Sequence, residues 1–391
     1  MLRILYILHS LSPSGEFHQA WTLSKYLKSK NTEIHFCILS GVQKKLAQKF
    51  RSENIFLHEC TFRSFLDPFF YLRLRKLITT IQPDVIHGWE NPSLTFCQGV
   101  NKIKSCARNA KIIITIRRQD PFHDWTISVP YSRLCSGVNV WVTNNSVTRD
   151  YYQTQGIHGD WRVVHDGVCM SEFSSLSAEK IQEKRNSLLT ELKLPETAKF
   201  VGCIGPIRPE KRWKWAVWSV DSIIRIYPEF HLLFLGNDAD IRQKTLLASD
   251  GDNGTLFPQR GRLETFARQY ERRNIIHFLG NRPDIPEILP CLNLLWVPQS
   301  IFGSSVSTIQ GMLAGTPIIA TKTPGIHEIL PEETASFASV NKETLQLASL
   351  SSRLLENNDL AQKQAQSAQV YAREKLHAKN MVDAYWKIYT E

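Results

Sequence analysis

Residues 294–328 read LLWVPQS, then IFGSSVSTIQGMLAGTPIIAT, then KTPGIHE, and this stretch decides the fold. The apolar run from Leu294 to Val297 closes on Pro298, as a buried strand leaving a sheet does. Gly303, Ser304 and Ser305 then open a segment with apolar residues at Val306, Ile309 and Leu313, which is helical spacing. Gly315 stops that helix, and Pro317, Ile318, Ile319 and Ala320 begin another strand. A strand, a small-residue turn, a helix and a strand form a βαβ unit. Its helix would begin at the carboxyl edge of a parallel sheet, where unpaired N–H groups and the helix dipole favour a phosphate. An α/β crossover without a ligand has the same pattern, and the residues alone leave both open.

Working outward, the same alternation recurs along the chain. Apolar strands are predicted at 3–9, 33–39, 83–87, 111–116, 138–143, 199–205, 231–235 and 275–280. The first is followed by a turn at Ser14 and Gly15 and by a helix carrying Phe17, Ala20, Leu23 and Leu27. Strands alternating with helices predict an α/β protein with parallel sheets, and 391 residues suffice for two such domains. A hydrophobic share of 42% and a charged share of 21% place the chain among globular proteins rather than disordered ones. No apolar run approaches the roughly 20 residues that span a bilayer, and the opening MLRILYILHSL reads as a buried strand rather than a signal peptide. A cytoplasmic location is therefore expected.

Eight cysteines lie scattered without CxxC or metal-ligand spacing, so they read as reduced thiols. A net charge of +10 favours anionic partners such as nucleotide diphosphates or lipid headgroups. No nucleic-acid motif accompanies it, and no nucleic-acid partner is expected. Phe62, Phe65, Phe69, Phe70 and Tyr71 interleave with Arg63, Arg73, Arg75 and Lys76. That mixture suits a helix lying on an anionic membrane surface, and equally a solvated helix face over an ordinary core.

On these residues the chain resembles glycosyltransferase family 4, the retaining group with the GT-B fold. In that family's signature a first Glu, a Gly-containing turn and a second Glu precede Ala-Met-Ala-x-Gly-x-Pro. Gly303, Met312, Gly315 and Pro317 match it, and Gly325 and Glu328 match a later Gly-x-x-Glu. Phe302 and Gln310 stand where the family has its two glutamates, so the Glu-x7-Glu motif is degenerate. Pro83, Asp84 and His87 match a Pro-Asp-x-x-His landmark, while Trp89 replaces a second histidine. The resemblance implies two Rossmann-like domains whose parallel sheets face across a cleft. Their expected limits are 1–173 on the acceptor side and 174–370 on the nucleotide-sugar side. The Ser-, Lys- and Glu-rich stretch from Ser174 to about Glu196 would cross between them, and a helix over 371–391 would return to the first domain.

The resemblance also assigns candidate residues. Donor binding falls to Gly15, Arg208, Lys211, Gly236, Asn281, Phe302, Gly303, Ser304, Ser305 and Gln310. Lys211 matches a lysine that, with an arginine, clamps the donor diphosphate; Pro206 occupies the arginine position and Arg208 lies two residues on. Candidate catalytic residues are His87, Glu90, Arg117 and Asp120, with Arg117 replacing the family's sugar-contacting histidine by a permanent cation. Acceptor candidates are Glu16, His18, Arg118 and His123. Asp238, Ala239 and Asp240 spell a DxD triplet that holds a metal in the other large glycosyltransferase fold, but in a GT-B chain no metal is expected.

The implied function is transfer of a hexose, with retention, from a UDP- or GDP-sugar to a lipid-linked or polysaccharide acceptor of the cell envelope. The nucleotide sugar is a co-substrate, and no permanently bound cofactor is expected. Peripheral contact with the inner face of the cytoplasmic membrane would fit the basic aromatic stretch. The missing glutamates raise an alternative, a catalytically inactive relative that binds or regulates a partner. A sugar-nucleotide epimerase is a third reading, although it would need acid/base carboxylates that the chain offers sparsely.

Overall fold

The computed structural model describes the chain except for residues 12–13, 40–46, 49, 51, 54, 62–67, 90–106, 108, 118, 120–136, 174–176, 208, 237–262, 266, 269–273, 302 and 304. It divides into two compact units, one of Met1–Cys169 with His377–Glu391 and one of Met170–Leu376.

The first unit is a seven-stranded parallel sheet in the order β3-β2-β1-β4-β5-β6-β7. Its strands are β1 (Leu2–Leu8), β2 (Thr32–Ile38), β3 (Phe56–Glu59), β4 (Val85–Trp89), β5 (Lys111–Ile116), β6 (Val140–Thr143) and β7 (Asp160–Val163). The central strands are apolar on both sides because both faces are covered. Ile4, Tyr6, Leu8, Phe36, Trp89 and Val142 pack under helices Gly15–Leu27 and Ala378–Thr390. Leu5, Ile7, Ile86, Ile114 and Trp141 pack on the other face, against Phe70, Leu74 and Ile78 of helix Pro68–Ile81. Each such side chain contributes about 1.5–3 kcal/mol by leaving water.

The second unit is a six-stranded parallel sheet in the order β10-β9-β8-β11-β12-β13. The strands are β8 (Lys199–Ile204), β9 (Phe230–Leu235), β10 (Ile276–Gly280), β11 (Leu294–Val297), β12 (Ile318–Thr321) and β13 (Ser336–Ala338). The stretch quoted first folds as its pattern requires. β11 leads to helix Val306–Ala314, and Gly315 caps that helix at φ 71°, where a side chain would be strained. One buried layer joins Trp213, Val217 and Ile223 of helix Trp213–Ile223 to Phe230, Phe234, Trp296 and Leu347.

Three expectations need correction. The stretch from Ser174 is mostly helix Ala178–Leu192, capped by Ser177 and bound to the second unit: Arg185 donates to the carbonyls of Cys291 (3.1 Å) and Ala198 (2.6 Å). The single C-terminal helix is two, Asn358–Lys375 and Ala378–Thr390. They break at His377, whose backbone is extended and whose Nδ1 accepts from Lys379 N at 3.0 Å. Tyr371 lies on the earlier helix and donates to the Glu328 carbonyl. Lastly, the turn expected at Ser14 and Gly15 ends one residue earlier: Gly15 is already the first residue of its helix, and Ser14 Oγ caps the helix by accepting from Phe17 N at 3.2 Å.

Candidate functional site

In each sheet the strand order reverses beside the first strand, between β1 and β4 in one unit and between β8 and β11 in the other. In open parallel sheets ligands bind outside the carboxyl ends of strands at such reversals.

In the second unit, β8 ends at Ile204 and the chain turns through Gly205 into a short 3-10 turn, Pro209–Lys211. A Cβ placed on Gly205 would lie 3.7 Å from Lys211 Cε, so the lysine stem passes over the end of β8. Gly236, after β9, has φ 152°, and a Cβ there would lie 1.8 Å from the Gly205 carbonyl oxygen; only glycine lets these two turns touch. On the other side of the reversal, Ser300 N and Oγ donate to the Glu210 carbonyl, at 2.9 and 3.4 Å. This contact ties the turn holding Lys211 to the loop that enters helix Val306–Ala314. Ser305 is buried as the N-cap of that helix, Gly303 is half-buried before it, and Gln310 is half-buried in its second turn.

Asn281 is exposed just after β10. Its loop is fixed by charge. Arg282 makes two bonds of 2.9 Å to Asp284 and one of 2.7 Å to Glu191, and Lys184 bonds Asp284 at 2.5 Å. The hydrogen bonds from Arg282 hold the Asp284 carboxyl well below the usual carboxylate range.

In the first unit Arg117 follows β5 and forms a buried ion pair with Asp166, the two being 2% and 4% exposed. Asn144 Nδ2 donates to the same carboxylate at 3.3 Å, and Asn145 Oδ1 caps helix Ser146–Thr154 by accepting from Thr148 N at 2.7 Å. His18 lies near this pair. Burial holds its pKa down to about 4, the Arg117 cation adds to the shift and Asp166 opposes it. Gln19, beside it, exchanges two 2.9 Å bonds with the backbone of Gly167, which sets helix Gly15–Leu27 against the segment bearing Asp166. Glu16 sits in the first turn of that helix, where the dipole favours a carboxylate.

His87 is placed differently from the expectation that it is catalytic. It is fully buried, with Nδ1 2.7 Å from Tyr389 Oη and Nε2 2.6 Å from Thr115 Oγ1. Both ring nitrogens are taken, and burial drives its pKa well below the ordinary value. Trp89, Tyr385 and Tyr6 enclose the ring. His87 is a core residue that anchors helix Ala378–Thr390.

The structure thus gathers Gly205, Lys211, Gly236, Gly303 and Ser305 at one sheet edge, and His18 and Arg117 at the other. Glu90, Arg118, Asp120, His123, Arg208, Phe302, Ser304 and the DxD triplet at 238–240 lie outside the described residues. Asp166, Asn144 and Gln19 were not foreseen as site residues. A buried acid matched to the unusual Arg117 was the available signal, but nothing local in the sequence pairs positions so far apart.

Residues 15–172 match the model of "Glycosyltransferase Family 4", and residues 184–371 match that of "Glycosyl transferases group 1". The chain is 21% identical over 387 residues to the N-acetyl-alpha-D-glucosaminyl L-malate synthase of Bacillus anthracis, covering 94% of this chain and 91% of that protein. It is 25% identical over 197 residues to the 2-deoxystreptamine glucosyltransferase of Streptomyces kanamyceticus, a match spanning 50% of this chain and 45% of the relative. The crystal structure of Anabaena HepE in complex with UDP and glucose shares the fold, with a TM-score of 0.80, 14% identity and 99% coverage of both chains. With one family model falling on each parallel-sheet unit, the chain belongs to glycosyltransferase family 4 and has the GT-B fold.

Proposed function

We propose that the chain transfers a hexose, with retention, from a UDP- or GDP-sugar to a lipid-linked or saccharide acceptor. The observation that carries this reading is the Ser300–Glu210 contact, which holds the turn of Lys211 against the loop entering helix Val306–Ala314. A fixed cation beside a helix N-terminus is suited to the charge that grows on a departing diphosphate. Lys211 and the N–H groups of Gly303 and Ser305 meet that charge, and Gln310 bonds the ribose, since an amide both donates and accepts. Arg117, neutralised by Asp166, serves as a rigid hydrogen-bonding post and not as a free charge. His18 and Glu16 belong to the acceptor side. The HepE complex with UDP and glucose, and the sugar-transferring names of the curated relatives, support this substrate class. A catalytically silent relative is the second reading, favoured by Phe302 and Gln310 at the glutamate positions.

Calorimetric titration with UDP, GDP, ADP and their sugar conjugates tests the proposal. One nucleoside diphosphate is expected to bind, and one of its sugar conjugates to bind more tightly. Binding of the nucleotide with no sugar preference would mean a site that has lost its grip on the sugar, and no binding of any nucleotide would overturn the transferase reading in favour of the silent relative.

A lipid-linked acceptor fits a second feature. Helix Pro68–Ile81 exposes Phe69 (65%) and Leu72 (60%) beside the exposed Arg73, Arg75 and Lys76. Among the described residues no helix is long and apolar enough to cross a membrane. We infer peripheral contact through this face. Vesicles containing anionic phosphatidylglycerol should sediment the protein and neutral ones should not. Each basic residue is worth about 1 kcal/mol at the surface, so changing Arg75 and Lys76 to Gln together should weaken sedimentation about 30-fold. Equal binding to both vesicles would remove the inference.

A further inference from the structure

The residue after Lys211 is unusual. Arg212 has φ 50°, a conformation that non-glycine residues seldom adopt, and from there it starts helix Trp213–Ile223. Three contacts hold it. Its Nε pairs with Glu343, its Nη2 donates to the Val340 carbonyl at 3.2 Å, and its guanidinium lies 4.3 Å from the centre of the Trp215 ring. Glu343 is the first residue of helix Glu343–Glu356, and its side chain is 0% exposed. Its other oxygen accepts from Thr321 Oγ1 at the end of β12. That hydroxyl in turn accepts from Gln299 N at 3.2 Å, and the next residue, Ser300, donates to Glu210.

These contacts close on themselves. From the turn at Glu210 the circuit runs through Arg212, Glu343, Thr321 and Gln299 to Ser300, and back to Glu210. It links the two loops that flank the reversal of strand order, one carrying Lys211 and the other leading to residues 303–305. A buried carboxylate without its cation is costly, so the Arg212–Glu343 link of the circuit resists opening. Burial raises the Glu343 pKa, while Thr321 and Arg212 oppose that shift.

We propose that Glu343 is a positioning residue that sets the separation between Lys211 and the N-terminus of helix Val306–Ala314, and so selects a diphosphate over a monophosphate. The proposal rests on the donor-site reading above. Two phosphates must be met at once by groups on two loops. A single phosphate needs only one of them, so it is insensitive to their spacing.

The test compares calorimetric affinities for UDP and UMP (or GDP and GMP, whichever base binds) in wild type, Glu343→Gln and Thr321→Val. Wild type should prefer the diphosphate by 10-fold or more. Glu343→Gln is expected to reduce that preference at least 5-fold by weakening diphosphate binding, with monophosphate affinity changed less than 2-fold. Thr321→Val removes one hydroxyl link at similar volume and should move the preference the same way by a smaller factor. It also keeps the test open if the Gln variant does not fold. Wild type without a diphosphate preference would overturn the donor-site reading. A wild-type preference retained in the folded variants, or a parallel loss for both ligands, would overturn the positioning role alone.

Discussion

Replacing Lys211 by alanine is expected to weaken nucleoside diphosphate binding about 10- to 150-fold. A charge-assisted contact to phosphate is worth roughly 1.5–3 kcal/mol, and each 1.4 kcal/mol is a factor of ten. The turn holding Lys211 is bound by Ser300 to Glu210 and by Arg212 to Glu343. Removing the ammonium should therefore leave the fold intact. Titration calorimetry reads the affinity, and circular dichroism confirms the fold. Lys211→Arg, which keeps the charge on a longer side chain, should recover part of the loss. An alanine variant that binds as tightly as wild type would show that Lys211 does not reach the phosphates.

The largest stability effect is expected in the first unit. Asp166→Ala leaves the Arg117 cation buried without its carboxylate, and breaking one side of a buried pair costs about 3–5 kcal/mol. In a unit of this size that is a fall of about 6–20 °C in melting temperature. Asp160→Ala is the control. Asp160 also bonds an arginine, Arg162, at 2.8 and 3.0 Å, but both side chains are more than two-fifths exposed. Exposed pairs contribute about 0–1 kcal/mol, so its melting curve should shift by no more than about 4 °C. Equal shifts in the two variants would mean that the Arg117–Asp166 pair carries no special weight.

The contrast between these two aspartates bears on what the sequence disclosed. The central strands were legible because strands covered on both faces read as apolar runs, as Ile112 to Ile114 and Leu294 to Val297 do. β3, β7 and β13 were not: Phe56–Glu59 and Asp160–Val163 are edge strands with exposed polar residues, and Ser336–Ala338 is three residues long. Lys211 stood out because the turn that carries it lies only a few residues after a strand, which is a local pattern. His87 was misread. Its strand motif is local, but what surrounds it is a helix from 302 residues later, and no spacing announces that. Asp166 and Glu343 escaped for the same reason, since each acts on an arginine that comes close only when the sheet forms.

The return of residues 377–391 to the first unit bears on how the chain is made. Tyr389 closes against Tyr6, His87 and Thr115 through a run of buried hydroxyls and one imidazole. Until helix Ala378–Thr390 has been synthesised, one face of that sheet has only part of its cover, from helix Gly15–Leu27. At ~5–20 residues per second, synthesis of the intervening second unit leaves this face partly open for on the order of ten seconds or more. The second unit, Met170–Leu376, is continuous in sequence and has no such wait. The later-made half should therefore be the first to finish folding, and a nascent chain held before residue 378 should be a ready substrate for chaperones that recognise exposed apolar sheet.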